Sequence, residues 1–259
     1  MTSTEPAGEA RWRAQRAAFG GLAEGYHASR PEWPTLTVRW LTGTDEAGPL
    51  AGRTHLRVLD LGAGTGKLTT ALAAEGHDVV AVDSSEGMLE VLRSALPEVA
   101  SHVATAERLP LGDAAVDVVT VAQAWHWFDA MAAAAECARV LRPGGVLAIA
   151  WHIRDAGVAW IRELDALVGN QGDSEGRMWG DPLTLPAPFG PVERALFHYR
   201  QRLTPEEVVS LAASWSYVAV RPDRAEVLAR IADLARRAAG DDGFVTVPYR
   251  TRCYRAVRG

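Results

Sequence analysis

A chain of 259 residues that is 48% hydrophobic and 23% charged can bury a large core, and its composition excludes a disordered or collagen-like polypeptide. Its formal charge of -5, from 27 Lys and Arg against 32 Asp and Glu, gives no basic footprint for nucleic acid or an anionic membrane surface, so a small-molecule partner is expected. Cys137 and Cys253 are too far apart for a disulfide framework or a Cys-x-x-Cys metal site, and no apolar leader or run of roughly 18 apolar residues occurs, so a cytoplasmic protein without a metal or a membrane span is expected.

Residues 11–26 and 32–41 read as two N-terminal helices, the second opened by Pro31 and placing Trp33, Leu36 and Trp40 at helical spacing. From His55 onward short apolar runs alternate with helical stretches. The order is strand 55–61, helix 66–74, strand 77–82, helix 86–96, strands 102–105 and 115–122, helix 130–141 and, after the turn Arg142-Pro143-Gly144-Gly145, strand 146–151. Such alternation predicts βαβ units, hence a parallel sheet covered on both faces: a doubly wound α/β fold.

Past Trp151 come a helix at 158–168, a Gly-, Asp- and Pro-bearing loop at 169–188, and a strand at 192–202. Thr204-Pro205-Glu206-Glu207 is a capping box that opens a helix, and another runs from Pro222 to near Gly240. A last strand spans 244–256, where Pro248 predicts an edge or a bulge. The expected architecture is a mostly parallel seven-stranded sheet in one domain. Residues 1–54 form an N-terminal helical cap, 55–155 a cofactor-binding core and 156–259 its C-terminal half, with helices of about 204–240 inserted before the last strand as a lid over the sheet's active edge.

The sharpest chemical signal is Val58-Leu59-Asp60-Leu61-Gly62-Ala63-Gly64-Thr65-Gly66, a strand running into a glycine turn and then a helix. Glycines there let backbone approach a ligand, and a helix N-terminus offers N–H donors. A phosphate-binding P-loop needs glycine where Leu61 stands and Ser or Thr where Leu68 stands, so Gly66-Lys67 is a lookalike. A dinucleotide fingerprint starting at Gly62 needs glycine where Lys67 stands, which weakens that reading. Asp83 closes the second strand, where an acid accepts hydrogen bonds from ribose hydroxyls of NAD or of S-adenosylmethionine alike.

Four further segments follow in order: Asp83-Ser84-Ser85-Glu86-Gly87-Met88-Leu89, Ala106-Glu107-Arg108-Leu109-Pro110-Leu111, Val116-Asp117-Val118-Val119 and Leu141-Arg142-Pro143-Gly144-Gly145. With the glycine turn they resemble class I S-adenosylmethionine-dependent methyltransferases of the broad type-11 group. Ala122-Gln123-Ala124-Trp125-His126-Trp127-Phe128-Asp129 and Trp151-His152-Ile153-Arg154-Asp155 resemble its trans-aconitate methyltransferase-like branch.

The resemblance implies S-adenosyl-L-methionine as cofactor, with Gly62 and Gly64 against its methionine portion, Asp60 near its amino group and Asp83 on its ribose. It implies Ser84 and Met88 beside the adenine, Ala106 and Glu107 at the exocyclic edge, Gln123 near the methionine moiety, and Tyr26 and Arg30 on the N-terminal cover, Arg30 pairing the cofactor's carboxylate. His152 stands where the family pattern has Asn. Because a sulfonium methyl is already activated, the protein's task is to align a nucleophile and exclude water, and a base is needed only for a protonated acceptor. His126 is the expected base, with Trp125, Trp127, His152 and Tyr217 as candidate acceptor contacts. The expected function is methyl transfer to a small molecule, at a carboxylate or hydroxyl oxygen. The alternatives are an NAD-dependent oxidoreductase using the same turn, or a non-catalytic cofactor-binding protein.

Overall fold

The computed structural model describes residues 30–169 and 183–259; the helix expected over 11–26, with Tyr26, lies outside the described residues. Seven strands form one sheet: β1 (Arg57–Leu61), β2 (Asp78–Asp83), β3 (Ala100–Val103), β4 (Val116–Ala122), β5 (Leu141–Arg154), β6 (Glu193–Leu203) and β7 (Val245–Val257). Their order is β3-β2-β1-β4-β5-β7-β6, and β7 alone runs against the direction of the other six.

Alternation along the strands sorts the core into two faces. Leu59 and Leu61 of β1, Val119 and Val121 of β4, and Leu147 and Ile149 of β5 pack with helix α4 (Ala130–Val140), which contributes Ala133, Ala134 and Cys137. Val58, Val118, Val146 and Ala148 face the opposite way. They meet α1 (Thr35–Thr42), α2 (Lys67–Ala74) and α3 (Glu86–Ala95) through Val38, Leu41, Leu68, Leu72, Leu89 and Leu92. The period-two pattern of each strand thus dictates a three-layer sandwich with both sheet faces dry. Cys137 and Cys253 are both free and buried, and burial pushes both thiols up, so they act as small apolar residues.

From β1 the chain winds outward through β2 to β3, then returns to lay β4 on the other side of β1. That reversal opens a crevice at the carboxyl ends of β1 and β4, where ligands of open α/β sheets bind. The glycine turn sits there.

Several boundaries differ from the sequence expectation by a residue or more, and three of the shifts, with the place of Pro248, have a plain cause. Helix α1 starts at Thr35, not residue 32, because a residue preceding proline is driven out of the helical region and Trp33 precedes Pro34; the first helical bond runs from Val38 N–H to Pro34. Strand β3 lies two residues early, since Thr105 already opens a turn closed by Arg108. Strand β5 is longer than 146–151, because Arg142 to Gly145 form a bulged continuation whose Gly144 and Gly145 pair with Arg258. Pro248 lies in an interior strand, yet β5 pairs no further than Tyr249, and the Pro248 carbonyl accepts from Asp155 N–H just beyond it. The missing N–H of Pro248 therefore costs no ladder bond.

Helices α6 (Pro205–Ala213), α7 (Ser216–Ala219) and α8 (Arg224–Ala238) stand between β6 and β7, and join α5 (Ala159–Val168) in a third apolar cluster. Thr204 caps α6 through the anticipated capping box with Glu207. Among the described residues no helix is long and apolar enough to cross a membrane.

Candidate active site

β1 ends at Leu61, and both Gly62 and Ala63 N–H donate to the Val82 carbonyl, at 2.7 and 3.1 Å, so the turn is pinned across the end of β2. Gly62 has φ +71°, and a Cβ there would come within 2.5 Å of the Ala124 Cβ, so only glycine lets β4's exit pack this closely. Gly64 has φ +56° with open space where a side chain would stand, and that open side belongs to the wall of a cleft.

Asp83 ends β2 facing this turn. One carboxylate oxygen accepts the Gly64 N–H at 2.9 Å and the other accepts the Ser85 N–H at 2.8 Å. Each ionised oxygen keeps further acceptor capacity for a ligand hydroxyl. Ser85 then caps α3 through Met88 N–H, which places Met88 on the wall of the cleft. Below the turn Asp60 is only 1% exposed, held by the hydroxyls of Thr69 at 2.7 Å and Thr120 at 3.3 Å. Burial raises its carboxyl to about 6, and the charge of Asp83 pushes the same way.

The far end of the cleft is built where β4 and β5 stop. Gln123 occupies the left-handed region at φ +59°, rare for a side-chain-bearing residue, and its amide donates to the His152 carbonyl at 3.1 Å. Trp33 lies against the His152 ring with centroids 3.9 Å apart, and Tyr199 and Tyr249 flank that ring at 6.0 and 5.8 Å. Burial drives the His152 imidazole down to about 3, and Arg30 adds to the shift, so the ring is neutral.

Of the residues expected from sequence, Arg30, Asp60, Gly62, Gly64, Asp83, Ser84, Met88, Ala106, Gln123, Trp127 and His152 line this one cleft. Four expected residues lie elsewhere. Trp125 is 6% exposed and belongs to the core beneath α4. His126, the expected base, is outside the cleft wall: its Nδ1 accepts the Trp151 indole N–H at 3.5 Å, and burial lowers its pKa to about 3. The reason is the turn type, since Trp125–Trp127 is a 3-10 turn whose consecutive side chains point some 120° apart. Glu107 sits in the turn after β3 and accepts the Asp129 N–H at 3.0 Å, beside the cap of α4.

Tyr217 belongs to the inserted helices. Its hydroxyl accepts from Arg154 at 3.3 Å, Arg154 is paired with Asp165 at 2.5 Å, and the guanidinium lies 4.1 Å over the Trp215 ring. Among the described residues no part of α6, α7 or α8 lines the cleft. The insertion meets the rim where Arg30 donates to the Ser214 carbonyl at 3.1 Å.

Sequence reasoning overlooked Trp33, Phe128 and Lys67, all on the cleft wall. Phe128 ends the aromatic run already singled out, and Lys67 enters the sequence reading only as a mismatch to a P-loop and to a dinucleotide fingerprint. Its ammonium reaches Glu32 at 2.5 Å, tying the segment around Pro31 to the start of α2. Among the described residues no group of three or more His, Cys, Asp or Glu is placed to hold a metal ion.

Residues 59–149 match the family model described as a methyltransferase domain. An uncharacterized methyltransferase of Mycobacterium tuberculosis is 44% identical over 244 residues, covering 93% of this chain and 95% of its own. A malonyl-[acyl-carrier protein] O-methyltransferase of Methylococcus capsulatus is 38% identical over 146 residues, 54% of this chain and 51% of that one. Among solved structures, a protein described as a type II methyltransferase, from Anaeromyxobacter dehalogenans, is 29% identical with a TM-score of 0.64, over 88% of this chain and 96% of its own. A doubly wound sheet with this crevice and these relatives defines a class I methyltransferase. The chain belongs to that family of enzymes.

Proposed function

We propose that the chain binds S-adenosyl-L-methionine in this cleft and transfers its methyl group to an oxygen of a small-molecule acceptor. The observation that carries the reading is the pairing of Asp83 with Gly64 beside an open glycine wall. An acid with spare acceptor capacity suits a ribose diol, open backbone suits an amino-acid tail, and the buried Asp60 suits an ammonium. Met88 and Ala106 offer an apolar slot for a base.

Bound there, the cofactor supplies a methyl on a sulfonium, an electrophile that needs no further activation. The chain's own residues then orient and dehydrate. Asp83 and the Gly62–Gly64 backbone fix one end, Gln123 stands where β4 opens onto the cleft, and Trp33, Trp127 and Phe128 exclude water. His152 and His126 are neutral and far too weakly basic to draw a proton from an alcohol at pH 7. An oxygen that arrives ionised needs no such help, which favours a carboxylate. The relative named for O-methylation of a malonyl group supports the same atom.

Family membership sets aside the oxidoreductase reading of the glycine turn, and a non-catalytic binding protein is distinguished by turnover. The test is calorimetric titration with S-adenosylhomocysteine beside NAD, on wild type and Asp83→Ala, followed by labelled-methyl transfer to a panel of carboxylic and hydroxylic acceptors. Micromolar binding of the thioether, lost in the variant, supports the reading. Binding of NAD alone sinks it.

A further inference from the structure

His152 carries an unfinished hydrogen-bond account. Its Nδ1 lies 2.7 Å from the Thr251 hydroxyl, while its Nε2 is shut off from water and has no partner among the described residues. Thr251 is fully buried on β7, and His152 Nδ1 is the one partner its hydroxyl has among the described residues. Whichever way that bond runs, one buried donor is left over, the Thr251 hydroxyl or the His152 Nε2–H; of the two residues only His152 lines the cleft, so only the second donor can be completed by a ligand. Thr251 therefore donates to Nδ1. Nδ1 is the acceptor, and because the ring is neutral its single proton resides on Nε2.

The consequence is a fixed N–H donor, buried and unsatisfied, on a residue that lines the cleft between Gln123 and Trp33. Stacking by Trp33, with Tyr199 and Tyr249 around it, keeps the ring in place and its surroundings apolar, so the donor is strong and lacks only its acceptor. Arg30 stands close enough to bias the charge of this ring and lines the same cleft, which makes an anionic oxygen the natural complement.

We propose that His152, through Nε2–H, is a specificity-determining donor to a carboxylate bound in this cleft, which enters as Trp33 gives way. This rests on the cleft being the S-adenosylmethionine site. Two carboxylates meet the description: the one on the cofactor's methionine and one on the methyl acceptor.

The test follows the Nε2–H resonance of His152 in isotope-labelled wild-type protein, where burial slows its exchange. Failure of S-adenosylhomocysteine to bind at all would count against the proposed function, and is read separately by calorimetry. Given binding, a ring protonated on Nε2 is expected, and a ring protonated on Nδ1 overturns the proposal. A downfield shift on adding S-adenosylhomocysteine but not methylthioadenosine, which lacks the amino-acid tail, assigns the donor to the cofactor's carboxylate. A shift only when acetate, benzoate or citrate is added to the thioether complex assigns it to the acceptor's. A resonance that responds to none of these also overturns it. In parallel, His152→Phe should weaken the responding ligand about tenfold or more and His152→Gln, which keeps an N–H donor, should recover part of that loss. An equal loss for every ligand would mark a merely structural residue.

Discussion

The carboxylate of Asp83 accepts the backbone N–H of Gly64 at 2.9 Å, so the acid that ends β2 holds the shape of the turn that ends β1. One side chain thus shapes the glycine wall and offers its remaining lone pairs to a ligand. Asp83→Ala removes both functions, and S-adenosylhomocysteine affinity should fall about a hundredfold, as for two hydrogen bonds to a charged group at roughly 1.5 kcal/mol each. Asp83→Asn retains one acceptor oxygen and should lose about tenfold. Calorimetry on the two variants checks the order.

Asp60 gives opposite pH slopes to stability and to binding. Its folded-state pKa of about 6 lies above the ordinary 3.8, so its contribution to stability is present below about 4 and is lost as pH rises through 6. The loss is on the order of 3 kcal/mol, at 1.36 kcal/mol per pH unit. Only the ionised form attracts an ammonium, so cofactor affinity should rise over the same interval and level off above it. In Asp60→Asn both slopes should vanish, as read by urea unfolding and by calorimetry between pH 4.5 and pH 8.

His126→Leu should leave S-adenosylhomocysteine affinity within about twofold of wild type, because the ring bonds Trp151 and is not part of the cleft wall, which it meets only through the Trp127 ring 4.7 Å away. It removes the acceptor of the bond from the Trp151 indole N–H, and that should cost about 1 kcal/mol, or some 2–4 °C in Tm for a chain of this size. A large loss of affinity at unchanged Tm would return His126 to the site.

Gln123 tests the left-handed turn. Replacement by glycine relieves φ +59° while giving up the bond to the His152 carbonyl, so stability should change by less than about 1 kcal/mol. Gln123→Val suffers both losses with a β-branched side chain and should be about 2 kcal/mol less stable than Gln123→Gly in urea.

The half of the cleft around the glycine turn was legible because each of its elements carries its own signal: apolar runs of strand length, glycines at the turn, an acid two elements on. Asp60, Gly62, Gly64, Asp83 and Met88 accordingly meet where their motifs said they would. The end of the cleft around His152 was less legible because it is assembled from strands far apart in sequence. Trp33 meets His152, and Thr251 sets its tautomer, across 99 residues of chain. Nor does adjacency in sequence reveal direction: in Trp125-His126-Trp127 only the third residue faces the cleft. Tyr217 was drawn away for a different reason, its hydroxyl being claimed by the buried Arg154. The trans-aconitate-like branch stays an expectation.

The strand order has a consequence for how the molecule comes to be made. β7 lies between β5 and β6, so until Val245 and the residues after it have left the ribosome, β5 presents a bare edge and β6 has no sheet neighbour. The strands β1 to β5 must wait as a partly finished sheet during the synthesis of some ninety residues, a state open to pairing with other chains. The two longest ladders of the sheet then close together, through a single strand.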